Sequence, residues 1–122
     1  MSATDELFTM DAAAMAEAVR GGRLGATALV QASLARIAAT DGAVNAFTDV
    51  VRERALRRAA DLDARLAGTD AEVAALRALP LLGVPFAVKN LFDIEGLRTL
   101  AGSKIERDSA PAQADAVLVQ RM

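Results

Sequence analysis

The sequence predicts an α/β fold in which N-terminal helices pack beside the first strands of a mixed β-sheet sandwiched by helices. Three observations carry this. Residues 26–67 hold two stretches whose apolar side chains recur at helical spacing. The longest apolar run, Ala78–Val88, contains two prolines and leads into Val84–Asn90, a segment whose continuous apolarity suits a strand covered on both faces. Helical patterns lie before and after that segment, the order of a layered α/β domain.

Taken in order, Thr9 or Asp11 can cap a helix that runs through Arg20 and is closed by Gly21-Gly22. A second helix is expected over Ala26–Thr40, with Leu29, Val30, Leu34 and Ile37 on one face and Asp41-Gly42 as its stop. Gly25 stands where a Ser or Thr cap is usual, and glycine is a tolerated substitute there. Val44–Val50 alternates enough to be a short strand. Arg52–Ala67 is a third helix with Ala55, Leu56, Ala59, Leu62 and Leu66 as its apolar stripe. Its Arg52, Glu53, Arg57, Arg58, Asp61 and Arg65 read as a solvated face. Gly68-Thr69-Asp70 breaks the helix, and Ala71–Ala78 forms a short helical segment. After the Val84–Asn90 strand comes a glycine-punctuated loop, and a last helix starts near Asp115, a good N-cap. That last pattern stops without a C-cap, which is the mark of a truncated fold. The chain divides into a helical region with one short strand, 1–70, and the start of a sheet-bearing core, 71–122.

Composition narrows the chemistry. The chain has 122 residues, 53% of them hydrophobic, enough for one core and against disorder. A net charge of −2 argues against electrostatic nucleic-acid binding. With neither cysteine nor histidine, the chain offers no disulfide, zinc–thiolate site, cysteine nucleophile or Ser-His-Asp triad. The start, Met-Ser-Ala-Thr-Asp-Glu, lacks the basic and apolar regions of a signal peptide. No apolar run is long enough to span a bilayer. A soluble protein in a reducing cytoplasm is the expectation.

The residue that invites a chemical reading is Lys89. Only two of the 14 basic residues are lysines, Lys89 and Lys104. Lys89 ends an apolar run, where a lysine must snorkel to water, find a partner or lose its proton. In a strand, Ala87 and Lys89 share one face and Phe86 and Val88 the other, so the small Ala87 leaves room beside the amine. Burial there disfavours the ammonium, and a neutral amine is a base. Ser103 reads as a turn serine that caps the next turn of chain, with Glu106 at capping-box spacing, and not as a nucleophile. Gly83, Gly96 and Gly102 read as turn glycines, because no Gly-x-Gly-x-x-Gly pattern succeeds the strand. Asp93 and Glu95 read as solvated loop carboxylates, and Asn90 as a residue that orients the lysine or a loop carbonyl. Phe8, Met10 and Met15 read as core or subunit contact.

Pro80, Leu81, Gly83, Val84, Pro85, Val88, Lys89, Gly96, Thr99, Gly102 and Ser103 together resemble the signature phrase of the amidase signature hydrolases. Leu34–Ile37 and Val44–Phe47 upstream, and Pro111 and Asp115–Val119 downstream, are similar to flanking elements of the same family. The run Val88–Asp93 is most similar to the branch that handles carboxybiuret-like urea compounds. The resemblance implies a Ser–cis-Ser–Lys mechanism with Lys89 as the catalytic base, a small-molecule amide as substrate, and no metal or organic cofactor. From the charge and the apolar-run length no nucleic-acid or membrane partner is expected, and the resemblance leaves homo- or hetero-oligomerisation of the full-length enzyme open. Residues 71–122 would be the start of the amidase core. Two departures stand out. Asn90 replaces the usual Asp, and the family's two catalytic serines have no counterpart within the 122 residues, so the chain by itself is expected to be inert. Arg98-Thr99-Leu100, where a Thr-Thr pair is usual, leaves other readings open. One is the glutaminase subunit of a tRNA-dependent amidotransferase; another is a non-catalytic helical interaction module or gene remnant. The coding DNA beyond Met122 separates them: a Gly/Ser-rich continuation marks the enzyme, a stop codon the remnant.

Overall fold

The computed structural model describes residues 7–122, so the polar opening read at residues 1–6 lies outside the described residues. Residues to Pro85 form one compact unit and Phe86–Met122 a second.

In the first unit, α1 spans Ala12–Arg20, α2 Ala26–Val44, α3 Arg52–Leu66 and α4 Ala71–Arg77. Of the two caps considered for α1, Asp11 serves: its carboxylate accepts the Ala14 N–H at 2.8 Å. Asp70 caps α4 in the same way, accepting from Val73 N–H at 3.0 Å.

The second helix is longer than its sequence pattern suggests. It runs through Asp41-Gly42 to Val44 and stops at Asn45, which adopts a left-handed conformation, φ 52°. A single glycine inside a helix costs only about 1 kcal/mol, so Gly42 is passed over, and an αL residue after it makes the stop. This overturns the expected strand at Val44–Val50. Val44 is helical, and the Asp41 carboxylate takes the Ala46 N–H at 2.7 Å, leaving the following residues exposed.

The core lies between α2 and α3. Ala26, Val30 and Leu34, spaced four apart on α2, bury against Ala59 of α3, with Ala55, Leu56 and Leu62 beside them. A second cluster joins Val19 of α1, Leu29 of α2 and Leu82 from the segment after α4, with Met15 among its flanking side chains. That places Met15 in core packing, as read from sequence, whereas Phe8 stacks under the Arg36 guanidinium at 4.7 Å. Gly83 passes this cluster with φ 74°, and a Cβ there would lie 3.0 Å from Val19 Cγ1. The charged face expected on α3 is exposed, and Arg65 pairs with Glu72.

In the second unit a 3₁₀ helix spans Lys104–Asp108 and α5 spans Val117–Arg121. The expected strand at Val84–Asn90 is absent. Residues 84–89 have no regular secondary structure, and no strand occurs among the described residues. A strand exists only against a partner that takes its backbone groups. The α/β expectation is therefore corrected for this stretch of chain, which is helical with irregular segments. Asp115 also departs from its expected role. α5 begins after Ala116 with no side-chain cap, and Asp115 instead accepts the Glu95 N–H at 2.9 Å.

Candidate functional site

Lys89 stands at the start of a tightly tied loop. Its carbonyl accepts from both Leu91 N–H, at 2.7 Å, and Phe92 N–H, at 3.2 Å, so the chain turns immediately after it. Its side chain is exposed, as is that of Lys104. The desolvating strand face expected around Lys89 is not built by residues 86–122: Ala87 is exposed beside it and Phe86 is 51% exposed.

Asn90 ties the lysine segment to the glycine-punctuated turn ten residues on. Its side-chain Oδ1 accepts the Leu100 N–H at 3.0 Å, and its backbone carbonyl accepts the Ala101 N–H at 2.9 Å. Ala101 and Gly102 both take positive φ, 49° and 70°, which folds the chain back before Ser103. Ser103 donates its N–H to the Leu100 carbonyl at 2.8 Å, and its hydroxyl accepts from Ile105 N–H at 3.2 Å as N-cap of the 3₁₀ helix. The reading of Ser103 as a capping residue matches this geometry. The reciprocal half of the capping box is replaced by the Leu100 bond.

The rest of the loop is closed by paired backbone contacts. Gly96 N–H donates to the Ala112 carbonyl at 2.9 Å, and Ala112 N–H returns to the Leu97 carbonyl at 2.8 Å. Asp93 accepts from the Thr99 hydroxyl, and its carbonyl accepts the Ala116 N–H at 2.9 Å. Arg98 Nε donates to the Ser109 carbonyl at 2.6 Å. Thus Asp93, read as a solvated carboxylate, is a loop organiser. Lys89, Asn90, Thr99 and Ser103, all within the span of the signature phrase, lie in one loop tied by backbone and side-chain hydrogen bonds. Sequence pattern could not have found the Asn90–Leu100 bond, because it depends on the αL turn at Ala101, a residue type that rarely adopts it.

Among the described residues no cluster of His, Cys, Asp or Glu is arranged to hold a metal ion, and no helix is long and apolar enough to cross a membrane.

The amidase family model matches residues 28–122. AtzE, a subunit of the 1-carboxybiuret hydrolase of Pseudomonas sp. (strain ADP), is 51% identical over 106 residues, covering 87% of this chain and 22% of that relative. A subunit of the glutamyl-tRNA(Gln) amidotransferase of Anaeromyxobacter dehalogenans is 44% identical over 99 residues, 81% of this chain and 19% of the relative. A solved structure, described as an unexpected vestigial protein complex that reveals the evolutionary origins of an s-triazine catabolic enzyme, superposes with TM-score 0.82 at 49% identity. It covers 92% of this chain and 23% of its own. The chain therefore spans about a fifth of the length of the relatives it matches. A match across more than three-quarters of the chain, together with the Lys89 phrase that carries it, establishes that the chain belongs to the amidase signature family.

Proposed function

We propose that the chain is the N-terminal part of an amidase that hydrolyses a carbon–nitrogen bond in a small carboxybiuret-like amide. The observation that carries the reading is the 51% identity to a subunit of a 1-carboxybiuret hydrolase, over a stretch that includes the lysine phrase. In this reading residues 71–122 begin the amidase core, and the remaining length found in the relatives supplies the sheet that covers Lys89 and both serines. The fold of the complete protein is then the α/β sandwich.

In the proposed mechanism Lys89 is the base. It takes a proton from the bridging serine, which takes one from the nucleophilic serine as that oxygen attacks the substrate carbonyl. The carbon–nitrogen bond breaks, the leaving nitrogen is protonated, and an acyl-enzyme remains for water to hydrolyse. Backbone N–H groups near the nucleophile hold the oxyanion. The 122 residues alone hold the base without the serines and are inert. The parent works in the cytoplasm on a small molecule, and its oligomeric assembly is consistent with relatives that are parts of multi-subunit enzymes.

A second reading is favoured by one observation, the 44% identity to a subunit of an amidotransferase, and would make the parent a glutaminase. The experiment is to assay the complete protein against 1-carboxybiuret and against glutamine with charged tRNA. Turnover of the first supports the proposal, and turnover of the second alone replaces it. Lys89→Ala is expected to abolish turnover, and Lys89→Arg nearly so, because guanidinium stays protonated. An arginine variant with a near-native rate rules out the base. Absence of either activity leaves the non-catalytic interaction module as the surviving reading.

A further inference from the structure

We infer that Asn90 is a positioning residue for Lys89: it clamps the lysine-bearing segment to the turn at 99–103 and so sets the direction in which the amine leaves the chain. The inference rests on the reading of Lys89 as the base and goes beyond it by assigning a role to the next residue. Two adjacent N–H groups of the turn, Leu100 and Ala101, are both accepted by Asn90, one by the side chain and one by the backbone. The immediately preceding carbonyl, that of Lys89, is held by Leu91 and Phe92 N–H. The peptide groups on both sides of Asn90 are thereby fixed, and with them the Cα–Cβ direction of Lys89.

The turn that Asn90 grips is itself in a conformation it would not hold unaided. Ala101 sits at φ 49°, a region L-residues seldom enter, and its N–H is the one bonded to the Asn90 carbonyl. Release of the side-chain bond frees Leu100 N–H and lets the turn relax away from the lysine segment. An amide at this position accepts the bond without setting a negative charge beside the Lys89 amine. Asp would accept the same bond and add that charge.

The test uses the 122-residue chain and the complete enzyme. In Asn90→Ala, amide hydrogen exchange at Leu100 is expected to rise about tenfold, as one hydrogen bond is lost, and Asn90→Asp restores protection through its acceptor oxygen. Lys89 and Lys104 are the only amines besides the N-terminus, so a limiting acylating reagent reads Lys89 against an internal control. The Lys89/Lys104 labelling ratio is expected to change about twofold or more in Asn90→Ala, whereas Asn90→Asp, which adds a charge beside the amine, is read by exchange alone. In the complete enzyme kcat falls about tenfold in Asn90→Ala with KM unchanged, the pattern of lost alignment. If protection vanishes across 86–116, Asn90→Ser, a smaller change, decides by the same ratio. Unchanged Leu100 exchange in Asn90→Ala overturns the clamp. Faster exchange with an unchanged labelling ratio and kcat makes Asn90 a loop staple only and overturns positioning. Retained activity in Lys89→Ala defeats the base assignment instead, while exchange and labelling still decide the clamp.

Discussion

Arg20 and Arg77 cap each other's helices across 57 residues of sequence. Arg20 Nε donates to the Arg77 carbonyl at 2.6 Å, and Arg77 Nη1 donates to the Arg20 carbonyl. Arg77 Nη2 also reaches the Leu66 carbonyl at 3.1 Å, and Arg20 Nη2 the Leu79 carbonyl at 2.9 Å. The last residues of α1, α3 and α4 thus present their unpaired carbonyls to two guanidiniums. Each cation is placed where the helix dipole favours it.

Arg77→Ala is expected to destabilise the first unit by about 1–3 kcal/mol, because partly buried carbonyls lose charged donors. Arg77→Lys recovers little, since a single ammonium cannot span the two carbonyls that the planar fork reaches. Urea unfolding followed by far-ultraviolet circular dichroism measures both. A lysine variant as stable as the native chain would contradict the bidentate role.

Asp63 of α3 caps α2 from another helix, accepting Ala26 N–H at 2.7 Å and Thr27 N–H at 2.9 Å. Burial pushes its carboxyl upward, but bonds from the Thr27 hydroxyl and from the Thr27 and Ala26 backbones outweigh it and hold the group below its ordinary value. A depressed value in the folded state means the stabilisation is present above the ordinary carboxyl pKa of about 4 and is lost as pH falls through the folded value. Asp63→Asn should remove about 0.5–2 kcal/mol at neutral pH and flatten the acid limb of the stability curve. Denaturant midpoints between neutral and acid pH check this, and an acid limb that persists unchanged in the variant refutes it.

Gly83→Ala and Gly42→Ala should move stability in opposite directions. Gly83 has φ 74° and no room beside Val19 and Ala26, so alanine there is expected to cost about 1–3 kcal/mol. Gly42 lies inside α2 with open space around it, so alanine there should stabilise by about 0.5–1 kcal/mol. Thermal or urea midpoints of the two variants give the signs directly.

The second unit leaves Phe86 at 51%, Leu91 at 52% and Ile105 at 88% exposure. Large apolar side chains left in water favour association, so the 122-residue chain should form concentration-dependent oligomers in sedimentation experiments. Phe86→Asp should shift it toward monomer while preventing the complete enzyme from folding. A native chain that stays monomeric at high concentration, with one sharp cooperative melt, would mark it as self-sufficient and favour the interaction-module reading.

Local signals in the chain decided its helices. Asp11 as a cap, the helical spacing of Leu29, Val30 and Leu34, and the Gly21-Gly22 stop are legible without a structure, because helix hydrogen bonds close within a few residues, whereas Asp70 reads only as part of a helix breaker. The family was legible for a related reason: the lysine phrase is a contiguous string. Features that depended on distant partners were not. Gly25 lacks a cap of its own because Asp63 supplies one, and a Cβ at Gly25 would lie 3.1 Å from that carboxylate. The strands expected at Val44–Val50 and Val84–Asn90 did not form, since apolar composition can favour a strand but only a neighbouring chain can complete its ladder. The grip of Asn90 on Leu100 and the meeting of Arg20 with Arg77 were likewise settled by tertiary structure. The partner of a side chain that bonds beyond its own turn is a matter of where the fold brings it, not of which residues stand beside it in sequence.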